Sequence, residues 1–115
     1  MDPIGFALEN YDGTGAWRDR ENDAVIDASG KLPDGSEFQG PDGLKRILLE
    51  QNREEFVQTF LEKLMTYALG RGVEAYDRPV MRAIMRDMSN RKLTVPAMIA
   101  AIVESPQFRM RRVAE

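Results

Sequence analysis

The chain has 115 residues, a formal net charge of −3, no histidine and no cysteine. That length holds one domain, 1–115, and 43% hydrophobic with 30% charged residues is the composition of an ordinary folded core rather than of a disordered chain. The two missing residue types exclude disulfides, thiolate nucleophiles, a Ser-His-Asp triad, the usual zinc ligands and covalent attachment of a c-type haem within these residues.

The first seventeen residues carry three glycines, a proline and three aromatics (Phe6, Tyr11, Trp17), with no sustained helix or strand period. A free terminus of that composition frays unless something holds it. The segment therefore reads as cut from the middle of a longer polypeptide. Met1 is followed by Asp2 and Pro3, not by a basic region and an apolar stretch, so these residues do not read as a signal peptide. No apolar run approaches the roughly 18 residues that a membrane helix needs.

Residues 1–40 read as a loop and hairpin region. Pro33-Asp34-Gly35 suits a type I turn with a left-handed glycine after it. It predicts a hairpin pairing Ile26–Leu32 onto Ser36–Gln39, and Trp17–Arg20 is expected to add a third strand. Residues 41–112 read as helices. Pro41 opens the first, with Leu44, Ile47 and Leu48 at helical spacing. Asn52 with Glu55 three residues on has the form of a capping box. The next helix carries Phe56, Phe60, Leu61, Leu64, Met65, Ala68 and Leu69 as one apolar face, with Phe60 and Leu64 expected to be buried, and ends at Gly70 and Gly72. Asp77 is expected to cap a third helix that buries Met81, Ile84, Met85 and Met88 and turns Arg82 and Arg86 outward. Thr94 caps a fourth, with Met98, Ile99, Ile102 and Val103 inside. Ser105-Pro106 starts a last short turn. The fold expected is mainly α: a four-helix array preceded by a small β-hairpin and an irregular loop segment.

Charge is uneven. Residues 1–40 hold nine acids against three bases, and residues 41–115 hold thirteen bases against ten acids. The two halves attract each other, or the basic half faces an acidic partner. Asp19, Glu21, Asp23 and Asp27 invite a calcium loop, but an EF-hand counted from Asp19 would need glycine at 24 and glutamate at 30 and meets Ala24 and Gly30. Gly13 and Gly15 lack the Gly-Lys-Ser/Thr sequence of a phosphate loop. Met81, Met85 and Met88 suit a core stripe better than an adaptable groove. Arg109, Arg111 and Arg112 lack interleaved aromatics in an acidic chain, so no nucleic-acid partner is expected. Tyr67, Arg71, Tyr76 and Asp77 crowd a turn between two helices. Either Arg71 pairs internally with Glu74 or Asp77, or it is a recognition corner in which Arg71 clamps an acidic group.

Four stretches carry a resemblance: Met1 to Asp12 (MDPIGFALENYD), Ile26 to Gly35 (IDASGKLPDG), Leu64 to Gly72 (LMTYALGRG) and Ile102 to Arg109 (IVESPQFR). In that order they resemble the DUF1585 family, a C-terminal domain of unknown function in large secreted or periplasmic proteins of planctomycetes and related bacteria. In such proteins a Cys-x-x-Cys-His haem motif typically lies just upstream of the Asp-Pro-x-Gly-Phe segment. The resemblance implies no activity and no cofactor held by this chain. It implies covalent haem c upstream of residue 1, a periplasmic or secreted parent, and a surface of Phe6, Asn10, Tyr11 and Trp17 that faces a partner or the haem. A role for Met1 as an iron ligand is not implied. The expected function is a non-catalytic accessory domain docking on the upstream domains. The alternatives are an enzyme subdomain lending carboxylate, Arg or Tyr groups to a shared site, and a purely structural cap. An exposed apolar patch around Phe6, Tyr11 and Trp17 favours docking. Unpaired carboxylates around Arg71 favour the enzyme, and a closed surface favours the cap.

Overall fold

A computed structural model describes residues 3–110; Met1, Arg111 and Arg112 lie outside the described residues. The chain divides into two compact units, Met1–Arg53 and Glu54–Glu115. Each has its own hydrophobic cluster. The fold is mainly α, with two small antiparallel sheets near the N-terminus.

The N-terminal unit opens with a 3-10 turn, Gly5–Leu8, that buries Ala7 completely. Strands β1 (Arg20–Glu21) and β2 (Ala24–Val25) then pair antiparallel. Their connection is Asn22-Asp23, both with positive φ, the backbone that a two-residue type I′ turn demands and that Asn and Asp tolerate. The third strand expected from Trp17–Arg20 is thus corrected. Trp17 makes an isolated bridge to Tyr11, and Arg20 belongs to this separate hairpin.

Strands β3 (Ser29–Lys31) and β4 (Glu37–Gln39) form the expected second hairpin, shorter than the sequence suggested, in the register Ser29↔Gln39, Gly30↔Phe38, Lys31↔Glu37. Gly35 has φ +92 and its N–H donates to the Leu32 carbonyl at 2.9 Å, as the Pro-Asp-Gly turn requires. Gly30 is needed for space. A Cβ there would overlap the Phe38 ring and stand 2.7 Å from the Pro3 carbonyl oxygen. Helix α1 (Gly40–Glu50), with Pro41 in its first turn, lays Leu44 and Ile47 on Ala7, Leu32 and Phe38.

The helical unit contains α2 (Arg53–Leu69), α3 (Arg78–Asn90), α4 (Val95–Glu104) and α5 (Pro106–Arg109). Its core is Leu61, Met65, Met81, Ile84, Met88, Met98 and Ile102. Most stops and starts follow the sequence signals. Gly70 ends α2 with φ +67, its N–H on the Thr66 carbonyl, and Thr94 Oγ1 accepts from the Ala97 N–H at the start of α4. Two faces are corrected. Phe60, expected inside, is 39% exposed and stacks on Phe56, while Leu64 is only half-buried. Ile99 and Val103, also expected inside, are exposed. In both helices the apolar arc is wider than the face that the core covers. Phe60 stands one residue before Leu61, and Ile99 one after Met98, so each is turned about 100° round the axis from its buried neighbour.

Candidate functional site

The N-terminal surface is built on a closed loop. The Arg18 N–H donates to the Asn10 carbonyl at 2.7 Å, and Asn10 Nδ2 donates back to the Arg18 carbonyl at 3.0 Å. Asn10 is therefore a clasp. Inside it, Asp12 Oδ1 accepts from Thr14 N–H, Thr14 Oγ1 and Ala16 N–H at 2.8, 2.7 and 3.0 Å. These donors, the Thr14 hydroxyl foremost, hold the Asp12 carboxyl below its usual range. Gly15 turns the chain with φ +83. The result presents Tyr11 and Trp17 edge to face, with centroids 5.3 Å apart and planes at 85°, a favourable aromatic arrangement.

Trp17 is fixed further by its Nε1–H, which donates to Asp19 Oδ1 at 3.0 Å. It is nevertheless 55% exposed, and Tyr11 is 41% exposed. Ile4 and Leu8 are exposed on the neighbouring 3-10 turn, while Phe6 and Asn10 are half-buried. Of the four residues singled out in the sequence, Tyr11 and Trp17 form the surface. Asn10 braces it, and Phe6 is half-buried on the 3-10 turn. What sequence reasoning missed is the brace itself. Its signal was Asp12-Gly-Thr14, since an Asp side chain readily bonds the backbone two residues on.

The second candidate is the turn between α2 and α3. Arg71 meets Asp77 through two bonds, Nη1 to Oδ2 at 2.7 Å and Nη2 to Oδ1 at 3.1 Å. Arg71 Nη1 also donates to the Gly72 carbonyl at 3.0 Å, and its guanidinium lies 5.2 Å from the Tyr76 ring centroid. Asp77 is fully buried and accepts the Glu74 N–H at 2.9 Å. Glu74 and Asp77 form a capping box around the 3-10 turn Ala75–Asp77. The expectation that Asp77 caps α3 is corrected. Its carboxylate turns back onto Arg71 and Glu74 and makes no cap bond to α3. The Arg71 bonds hold the Asp77 carboxyl below its ordinary value, and Asp77 in turn raises Arg71. Tyr67, 88% exposed on α2, takes no part in the ion pair. The corner joins Arg71, Tyr76 and Asp77 and leaves Arg71 spent on an internal carboxylate.

The chain has no cysteine and no histidine, and among the described residues no group of three or more acidic side chains could hold a metal ion. No helix among the described residues is long and apolar enough to cross a membrane. No curated protein and no solved structure gave a significant match. The profile of a family described as a protein of unknown function, DUF1585, matches residues 34–108. The match takes in β4, α1 to α4 and most of α5, and leaves the N-terminal surface outside it. Covering more than half of the 115 residues, it establishes that the chain belongs to the DUF1585 family.

Proposed function

We propose that this chain is a non-catalytic C-terminal accessory domain that docks, through Tyr11 and Trp17, onto the preceding domains of a haem c-bearing, periplasmic or secreted protein. The observation that carries the reading is the exposed Tyr11–Trp17 pair, held rigid by Asn10, Asp12 and Asp19. Side chains already ordered lose little entropy on association, and amphipathic aromatics are the residues that dominate interfaces. The chain's own residues fit no covalent haem attachment, having neither cysteine nor histidine.

The enzyme-subdomain reading loses its main support, because Arg71 is engaged by Asp77 rather than facing open carboxylates. The structural-cap reading draws on Ala7 and on the approach of Pro3 to Gly30, which tie residues 3–8 to their own unit. Those contacts leave Tyr11 and Trp17 uncovered.

Trp17 is the only tryptophan of the chain, so its fluorescence reports on this surface alone. In a polypeptide extended upstream through the haem-binding segment, Trp17 emission should shift to the blue or be quenched, and amides 10–18 should gain exchange protection. Identical emission and exchange in the short and extended chains would sink the docking role and leave the cap.

A further inference from the structure

The loop that presents Tyr11 and Trp17 is strongly acidic. Residues 9–27 hold six acids (Glu9, Asp12, Asp19, Glu21, Asp23 and Asp27) against two bases, Arg18 and Arg20. Both bases are engaged within the loop. Arg18 Nη1 pairs with Glu21 Oε1 at 2.8 Å, and Arg18 Nη2 donates to the Glu9 carbonyl at 3.4 Å. Arg20 Nη2 donates to the Asp23 carbonyl at 2.8 Å. Among the described residues, Arg18–Glu21 is the one ion pair of this segment, so the other five carboxylates have no cation against them.

At Trp17 one of those carboxylates is joined to the aromatic surface. The indole N–H donates to Asp19 Oδ1 at 3.0 Å. A hydrogen bond from the ring edge to a carboxylate makes the ring face more negative, and the face of tryptophan is the side-chain surface that attracts cations best. The Arg71 corner shows the same components with the cation supplied by this chain. There a guanidinium forks onto Asp77 and lies 5.2 Å from the Tyr76 ring centroid. Among the described residues no guanidinium or ammonium lies over the Trp17 ring, although ring and carboxylate are fixed beside each other.

We propose that the surface of the preceding domains that meets Tyr11 and Trp17 is basic, and that it presents an arginine whose guanidinium stacks on the Trp17 ring and reaches the Asp19 carboxylate. This inference rests on the docking reading and adds the chemistry of the partner. An acidic partner would meet like charge at every edge of the pair, whereas a basic one gains from all five unmatched carboxylates. Arginine suits the position better than lysine, because its flat, weakly hydrated head stacks on an aromatic face while its edge donates to a carboxylate.

The test uses the polypeptide extended upstream through the haem-binding segment, read by the gain of exchange protection at amides 10–18 and by Trp17 emission. Both docking signals should fall by at least about half between about 50 mM and 500 mM NaCl, as exposed charge pairs are screened. Asp19→Asn keeps an oxygen to accept the Trp17 N–H but removes the charge, and should weaken docking about threefold. Asp42→Asn, an exposed acid on α1, should leave it unchanged. Added to the 115-residue chain, a tetra-arginine peptide should perturb Trp17 emission at least about threefold more tightly than tetralysine. Docking signals indifferent to salt and to Asp19→Asn would leave Tyr11 and Trp17 as a docking surface and overturn the basic partner. Equal binding of the two peptides overturns the arginine assignment. Absence of any docking signal at either salt concentration removes the docking reading and this inference with it. Protection of amides 10–18 that falls with salt in the 115-residue chain alone would mean that the chain's own bases cover the pair, and overturns the proposal as well.

Discussion

The N-terminal unit buries a cluster of five residues, Ala7, Leu32, Phe38, Leu44 and Ile47, whereas the helical unit buries seven, four of them methionine. With less apolar volume, the first unit relies on backbone conformations: positive φ at Asn22, Asp23, Gly15, Gly35 and Gly40, and carboxylates of Asp12, Asp27 and Asp34 that bond the chain two residues on. The second relies on adaptable thioether packing and one ion pair whose carboxylate is buried. The contrast teaches where each unit is brittle. The helical one fails through lost volume or an orphaned charge, the N-terminal one through steric or conformational misfit.

The largest expected effect tests the volume side. Leu61→Ala should destabilise the helical unit by about 3–4 kcal/mol through cavity formation, while Phe60→Ala, one residue away but solvent-facing, should cost about 1 kcal/mol. Thermal melts of the two variants decide it. Equal losses would mean that the core face of α2 is misassigned.

Next comes the ion pair. Arg71→Ala leaves Asp77 buried and unpaired and should cost about 3 kcal/mol. Asp77 has its carboxyl lowered on folding, so the stability it contributes is complete above its unfolded value near 4 and is lost as pH falls below that, through the folded value. Asp12, Asp27 and Asp34 are lowered too, by serine and threonine donors, so acid weakens both units. Urea titrations at neutral pH and near pH 3 should show Arg71→Ala losing less stability on acidification than the parent chain. An undiminished acid loss would mean that the pair is energetically idle.

The N-terminal unit is tested by its glycines. Gly30→Ala forces a Cβ into the Phe38 ring and the Pro3 carbonyl and should cost about 2 kcal/mol by overpacking. The loss should show as increased amide exchange across β3 and β4, with α3 unaffected. Smallest is Gly35→Val, where a β-branched residue must adopt φ near +92 in open space. A loss of about 1 kcal/mol is expected from strain alone. A wild-type melt for Gly35→Val would show that the turn relaxes to a conformation any residue can take.

What the sequence determined by itself is what lies within a turn or two of the chain. Pro41, Pro79 and Pro96 in first turns, Thr94 at its cap, Gly70 at a helix end and Gly35 in its hairpin were all legible, because each effect acts on backbone a few residues away. Only the tertiary structure decided which apolar row faces inward. Periodicity shows that α2 and α4 are apolar over a wide arc, but Leu61 rather than Phe60, and Met98 rather than Ile99, is buried because of where the other helices lie. The same holds for Asp77. Its type suits a helix cap, yet the Gly70–Gly72 turn returns Arg71 to it, and a bidentate charged pair outweighs one cap bond. The Asn10–Arg18 clasp likewise required partners eight residues apart to meet, so only the folded loop reveals that Tyr11 and Trp17 are held in place rather than left to fray.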